Sequence, residues 1–200
     1  MNSRYDVDHA LDMAKVSNSP DPESEPPKVA QYGCQLAPRL PPGVSMTDVR
    51  QTKWTLGKSI GSGGFGDIYL IGQGDTCEDD SKFVVKLEPH NNGPLFTEMH
   101  TMYRLGLESH RADWRPWYGE LGTVAVPILQ ASGSLIHDEV KLRFIVIDRL
   151  GADLDKFFRG GENPWPIHTV LRVGLMVLDS LQYVHSKGYA HNDIKVKNQN

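Results

Sequence analysis

Cysteine is nearly absent. Cys34 and Cys77 are the two in 200 residues, and they lie far apart. That excludes a disulfide framework, offers no metal-ligand spacing and fits a reducing compartment. Long apolar runs are missing too. The longest, Val173 to Leu178, is broken by Gly174 and is far too short to span a bilayer. The first residues, MNSRYDVDHA, carry no apolar signal core. Nor is there a basic excess: the formal net charge of −4 advertises no surface for nucleic acid. The expectation is a cytosolic or nuclear protein that binds neither membrane nor nucleic acid directly. What is present, 39% hydrophobic and 23% charged residues, suffices for one substantial core or two small lobes.

Residues 1 to 50 hold seven of the thirteen prolines and only two aromatics, Tyr5 and Tyr32. Stretches such as SNSPDPESEPP bury too little apolar surface to offset the entropy of ordering them. This segment is therefore expected to be a disordered, acidic, proline-rich leader. No internal repeat is visible. From Trp54 onward the pattern changes. KWTLGKSI and DIYLIG flank a glycine cluster and predict two strands, and KFVVKLE predicts a third. Alternation along that third strand puts Lys86 on the same side as Val84. NNGPLFTEMHTMYRLG then predicts a helix with Pro94 at its first position. Glu98 and Met102, four apart, share one of its faces. VPILQASGSLI and KLRFIVID predict a hairpin, and ADLDKFF a short helix. Ile167, Val170, Leu171, Leu175, Leu178, Leu181 and Val184 recur at helical spacing between Pro166 and Lys187, with Gly188 placed to cap the helix.

Gly61-x-Gly63-x-x-Gly66 is a spacing several folds share. Its context narrows the choice. A dinucleotide-binding loop opens a helix, whereas this one runs into Asp67-Ile68-Tyr69-Leu70-Ile71, a strand pattern. A glycine turn between strands suits a flap whose backbone N–H groups close over phosphates, because glycine allows close approach. A glycine-rich hairpin with no ligand stays open on this segment alone. Gly57-Lys58-Ser59 imitates the end of a phosphate-binding P-loop, but Thr52 stands where the first glycine should be, and that reading fails.

Lys86 follows the flap by twenty residues, and Glu98 lies in the next helix. An ammonium beneath a phosphate flap would favour the α- and β-phosphates, and the helix carboxylate would hold it in place. FIVIDRLGADL reads as a buried strand meeting a polar turn. Backbone groups from Asp148 to Leu150 are candidates for an adenine edge, with Ile60, Ile68 and Val84 as apolar walls. After the long helix comes YAHNDIK. Asp193 would accept the proton of an attacking hydroxyl, and Lys195 would neutralise charge on a transferred phosphoryl group. Asn198, five residues past Asp193, has the offset of a Mg²⁺ ligand.

This ordered set resembles the protein-kinase signature. VVKLEP followed by NNGPLFTEMH, with FIVIDRLGADL and YVHSKGYAHNDIK, resembles the vaccinia-related kinases within the casein-kinase-like group, over about residues 51 to 195. The resemblance implies a protein-kinase-like α+β fold. Residues 51–150 would form a complete β-rich N-lobe and hinge, and residues 151–200 the first helices and catalytic loop of a C-lobe. It also implies a Ser/Thr kinase using ATP and Mg²⁺ on protein substrates, chromatin-associated ones among them, with the nucleus favoured. Asn192 stands where most kinases have arginine, which argues against control by activation-loop phosphorylation. Beyond Asp193 the family's Asp-Phe/Tyr-Gly motif does not follow, and VKNQN departs from the family pattern. The expectation is a truncated isoform or gene model of an ATP-dependent Ser/Thr kinase. The alternative is a catalytically inactive fragment that binds ATP or a partner.

Overall fold

The computed structural model describes residues 34–63, 66–114, 125–152, 154 and 165–194. Its centre is a six-stranded antiparallel sheet: β1 (Ser45–Thr47), β2 (Lys53–Gly63), β3 (Gly66–Gln73), β4 (Phe83–Pro89), β5 (Leu129–His137) and β6 (Val140–Asp148), in spatial order β1-β2-β3-β4-β6-β5. Helices α1 (Pro94–Gly106) and α2 (Glu108–Ala112) lie between β4 and β5 in sequence, and α3 (Ile167–Ser186) follows β6. This is the β-rich lobe and the start of a helical one expected from the sequence.

Period-two alternation sorts the sheet into two faces. Tyr69, Ile71, Val85, Leu87, Leu142, Phe144 and Val146 join Trp54 and Leu56 in the main apolar core. Their neighbours along the chain, Ile68, Leu70, Val84, Lys86, Glu88, Arg143, Ile145 and Ile147, therefore point the other way. The β4–β6 register sets Val84 opposite Ile147, Lys86 opposite Ile145 and Glu88 opposite Arg143.

The main core is completed by residues expected to lie outside the fold. Leu40 and Met46 are buried in it, and Ala37 and Val44 pack against it. β1 pairs with β2, the N–H of Leu40 donates to the Tyr69 hydroxyl at 3.2 Å, and Gln35 exchanges two hydrogen bonds with the Asn92 side chain. The leader expected through residue 50 is thus corrected for residues 34–50, which strap the apolar face of the sheet. A bare apolar face needs cover, and a few well-spaced apolar side chains provide it despite the surrounding prolines. Residues 1–33 lie outside the described residues.

The β5–β6 hairpin turns through Asp138 and Glu139, both at positive φ, 47° and 63°. That backbone matches the right-handed twist of the strands it joins. Gly133 in β5 is required by close approach: a Cβ there would stand 2.6 Å from the Phe144 ring.

Helix α3 forms where its spacing predicts. Gly188, at φ 81°, ends it: its N–H donates to the His185 carbonyl, and that of Tyr189 to the Val184 carbonyl. This is the Schellman arrangement, which glycine at that position makes possible. Only one end of the apolar stripe is buried. Tyr183 and Val184 pack with Leu105, Trp114, Val126 and Tyr189, whereas Ile167, Leu171 and Leu178 are exposed among the described residues. The short helix expected at ADLDKFF falls almost wholly outside the described residues.

Candidate functional site

Gly61, Gly63 and Gly66 sit at the tip of the β2–β3 hairpin, with Gly61 opposite Ile68 and Gly63 opposite Gly66. Register shifts on either side of Ser59 bend β2 as it approaches this tip. The loop therefore joins two strands, as its sequence context requires. Gly57 of the P-loop imitation lies inside β2, where a Cβ would meet the Cys77 sulfur at 2.6 Å.

Beneath the hairpin, Lys86 lies between Ile68 of β3 and Ile145 of β6 in the sheet register. Its Nζ donates to Glu98 Oε1 of α1 at 2.6 Å. Both side chains keep about a third of their surface accessible, 33% and 31%, so the pair can meet a ligand from solvent. Beside it, Leu70, Val84 and Ile147 form a small apolar cluster with Ile68, Cys77 and Met102. Met102 thus reaches this surface from the helix face it shares with Glu98. Leu70, Ile147 and Cys77 are not among the site residues expected from the sequence. Leu70 was findable, since it follows Ile68 by two residues in the same strand. Ile60, expected as a wall, is exposed and is not part of that cluster.

At the end of β6, the Asp148 carboxylate accepts two 3.1 Å bonds from the Gln130 amide. The Arg149 N–H donates to the Lys82 carbonyl at 2.7 Å, and its guanidinium to the Asp79 carbonyl. Leu150 is exposed. Asp193 lies in the exposed coil beyond α3, its N–H 3.4 Å from His191 Nδ1. Asn192 before it has φ 56°, a left-handed conformation that asparagine tolerates better than most residues. Lys195 and Asn198 lie outside the described residues.

Glu88 is the buried group that sequence reading passed over. It is fully buried, two residues beyond Lys86 on the same face. Its oxygens have no close hydrogen-bond partner. Arg143 Nε stands 3.4 Å from one of them, and the N–H groups of Leu95 and Phe96 are near enough to favour its charge without forming a hydrogen bond. Burial pushes its carboxyl up from the ordinary value, while those N–H groups and the guanidinium pull it down.

Compared with curated proteins, the chain is 38% identical to nucleosomal histone kinase 1 of Drosophila melanogaster over 164 residues, 82% of this chain and 27% of that protein. It is 38% identical to serine/threonine-protein kinase VRK2 of Homo sapiens over 159 residues, 80% of this chain and 31% of that one. It is 37% identical to the B1 kinase of vaccinia virus strain Western Reserve over 156 residues, 78% of this chain and 49% of that one. The chain belongs to the vaccinia-related kinase family. A solved structure of vaccinia related kinase 3 shares the fold, with a TM-score of 0.63 and 24% identity, covering 81% of this chain and 47% of that one. No protein-family model matches the chain. It spans about half or less of the length of these kinases.

The described residues include the glycine hairpin, the Lys86–Glu98 ion pair, strand β6 with the turn after it, and the exposed coil that holds Asp193. Among the described residues no cluster of His, Cys, Asp or Glu could hold a metal ion. No helix there is long and apolar enough to cross a membrane.

Proposed function

We propose that this chain provides the nucleotide-binding lobe and catalytic aspartate of a Ser/Thr protein kinase that uses Mg·ATP. The observation that carries this reading is the Lys86–Glu98 ion pair on the open face of the sheet, beneath the Gly61–Gly63–Gly66 hairpin. The residues present fit the nucleotide. Ile68, with Val84 and Ile147 beside it, offers an apolar surface to a purine ring, and the ammonium of Lys86 offers charge to phosphate oxygens. Arg149's N–H is engaged by Lys82, so we assign the adenine edge to the Asp148 carbonyl and the Leu150 N–H. The glycines let backbone N–H groups close over the phosphates.

Asp193 is the group that orients the attacking hydroxyl and accepts its proton, and Lys195 offers positive charge to the transferred phosphoryl group. Asn198 is the candidate Mg²⁺ ligand, and bound Mg²⁺ would neutralise phosphate charge. The substrate class is a Ser or Thr hydroxyl on a protein. The name of the Drosophila relative supports a chromatin-associated substrate and a nuclear site of action.

Titration of the 200-residue chain with a fluorescent ATP analogue and Mg²⁺ tests the reading, paired with phosphotransfer onto histone or casein. Saturable binding that Lys86→Met weakens at least about tenfold is expected, matching loss of a charge-assisted contact. Turnover should vanish in Asp193→Asn. Absence of saturable binding would overturn the reading, whereas binding without turnover would leave a nucleotide-binding lobe that does not catalyse by itself.

A further inference from the structure

Helix α1 starts without a cap of its own. Gly93 makes no side-chain capping bond, and the first turn contains no acidic residue. Past Gly93, the leading positions can be taken singly up to the first intrahelical bond. Pro94 has no N–H, and Thr97 N–H donates to the Gly93 carbonyl at 3.1 Å. The N–H groups of Leu95 and Phe96 remain, and both lie near enough to the carboxylate of Glu88 on the neighbouring strand to favour its charge, short of a hydrogen bond. A negative charge at a helix start is favourable, more so where burial limits screening.

Arg143 of β6 pairs with this acid across the strands. Its Nε lies 3.4 Å from Glu88, a terminal nitrogen donates to the His90 carbonyl, and its guanidinium sits 5.1 Å from the centre of the Phe96 ring. One guanidinium thus spans β4, β6 and the first turn of α1. At the far end of α1, the Tyr183 hydroxyl donates to the Leu105 carbonyl. The helix is held at both ends.

Glu98 sits two residues beyond Phe96, about 3 Å further along the axis at 1.5 Å per residue. Its 2.6 Å bond to Lys86 tolerates only small shifts of the helix. Strand β4 therefore carries Lys86 and, two residues on, the acid that fixes the start of the helix bearing Glu98. We infer that Glu88, paired with Arg143, is a positioning residue that holds α1 in the register in which Glu98 reaches Lys86. This rests on the proposed role of that pair, but its test needs neither nucleotide nor turnover.

The test is the rate at which a lysine-directed acylating reagent modifies Lys86 in the full chain, read by peptide mass spectrometry against exposed Lys82. Glu98→Ala sets the rate for an unpaired Lys86. Glu88→Gln should raise the Lys86 rate toward it, by on the order of tenfold, as for coupled groups in one charged network. The double variant Glu88→Leu/Arg143→Leu replaces the buried pair with apolar side chains, which often preserves stability, and should raise the rate equally. In a Glu98→Ala background, neither change should add anything further. An unchanged Lys86 rate in both Glu88 variants would overturn the proposal, as would a rise of the same size with and without Glu98. Failure of the nucleotide reading would appear separately, as absence of saturable ATP-analogue binding by the unaltered chain.

Discussion

On one face of the sheet, Tyr69, Val85, Leu87, Phe144 and Val146 pack beneath the strap that carries Leu40 and Met46. On the other, one residue along the same strands, stand Ile68, Val84, Lys86, Glu88 and Arg143. The first face is closed and apolar, and the second mixes apolar side chains with charge and stays partly open. Each face also holds a buried acid, and the two are treated differently. Asp48, at the β1–β2 turn, accepts from the Trp54 indole at 3.0 Å and from the N–H groups of Arg50 and Thr52. Burial acts to raise its carboxyl, but these bonds outweigh burial and hold it below the ordinary value. Glu88 lacks such close partners, and burial prevails. A satisfied acid serves stability, whereas an incompletely satisfied one beside a helix start is a cost that function can justify.

If the faces divide in this way, substitutions on the closed face should cost stability and leave the open face's chemistry alone. The largest effect belongs to Phe144→Ala, in a fully buried position, which should destabilise by about 3–5 kcal/mol in thermal or denaturant unfolding. Nucleotide-analogue affinity per folded molecule should be unchanged. Leu40→Ala removes one of the strap's two buried core side chains and should cost about 2–4 kcal/mol. A value near zero would show that residues 34–44 contribute nothing to the core, and would restore the boundary at residue 50.

Asp48→Asn should cost about 1–3 kcal/mol at neutral pH. Its pH dependence has a definite sign. The folded carboxyl is held low, so its contribution is full above the unfolded value and lost as pH falls through the folded one. Unfolding of the parent chain followed downward from neutral pH should lose this part below about pH 4, and Asp48→Asn should lack it. Glu88 has the opposite sign: its contribution is greatest at low pH and is lost as pH rises through its elevated folded value. The smallest effect on stability belongs to Lys86→Met, at about 0–1 kcal/mol, because both partners of its ion pair are a third exposed and screened. Its loss of nucleotide affinity should nevertheless exceed that of any closed-face variant. Equal affinity losses on the two faces would break the comparison.

The strands, helices α1 and α3 and the glycine hairpin were legible because each depends on short-range pattern: alternation, helical spacing and glycine between strands. The strap was not, since its apolar residues Leu40, Val44 and Met46 are too sparse to stand out among prolines. They matter only against a sheet face that strands distant in sequence assemble. Glu88 was passed over for a similar reason. On β4 it reads as an ordinary strand residue, and its meaning comes from the start of α1 and from Arg143, which lies 55 positions further along the chain. The apolar stripe of α3 was read correctly as helix, yet composition could not tell which part of it would be covered.

By itself the sequence determined the element order, the glycines between β2 and β3, and the family marked by VVKLEP, NNGPLFTEMH and HNDIK. Those features are local, and the chain's own dihedral and side-chain preferences settle them. Tertiary structure decided that residues 34–50 close the back of the sheet, that Lys86 and Glu98 meet at 2.6 Å, and that Glu88 is buried two residues beyond Lys86 on the same face. Those outcomes depend on which surfaces the assembled sheet leaves bare, and on where its register carries two charges within reach.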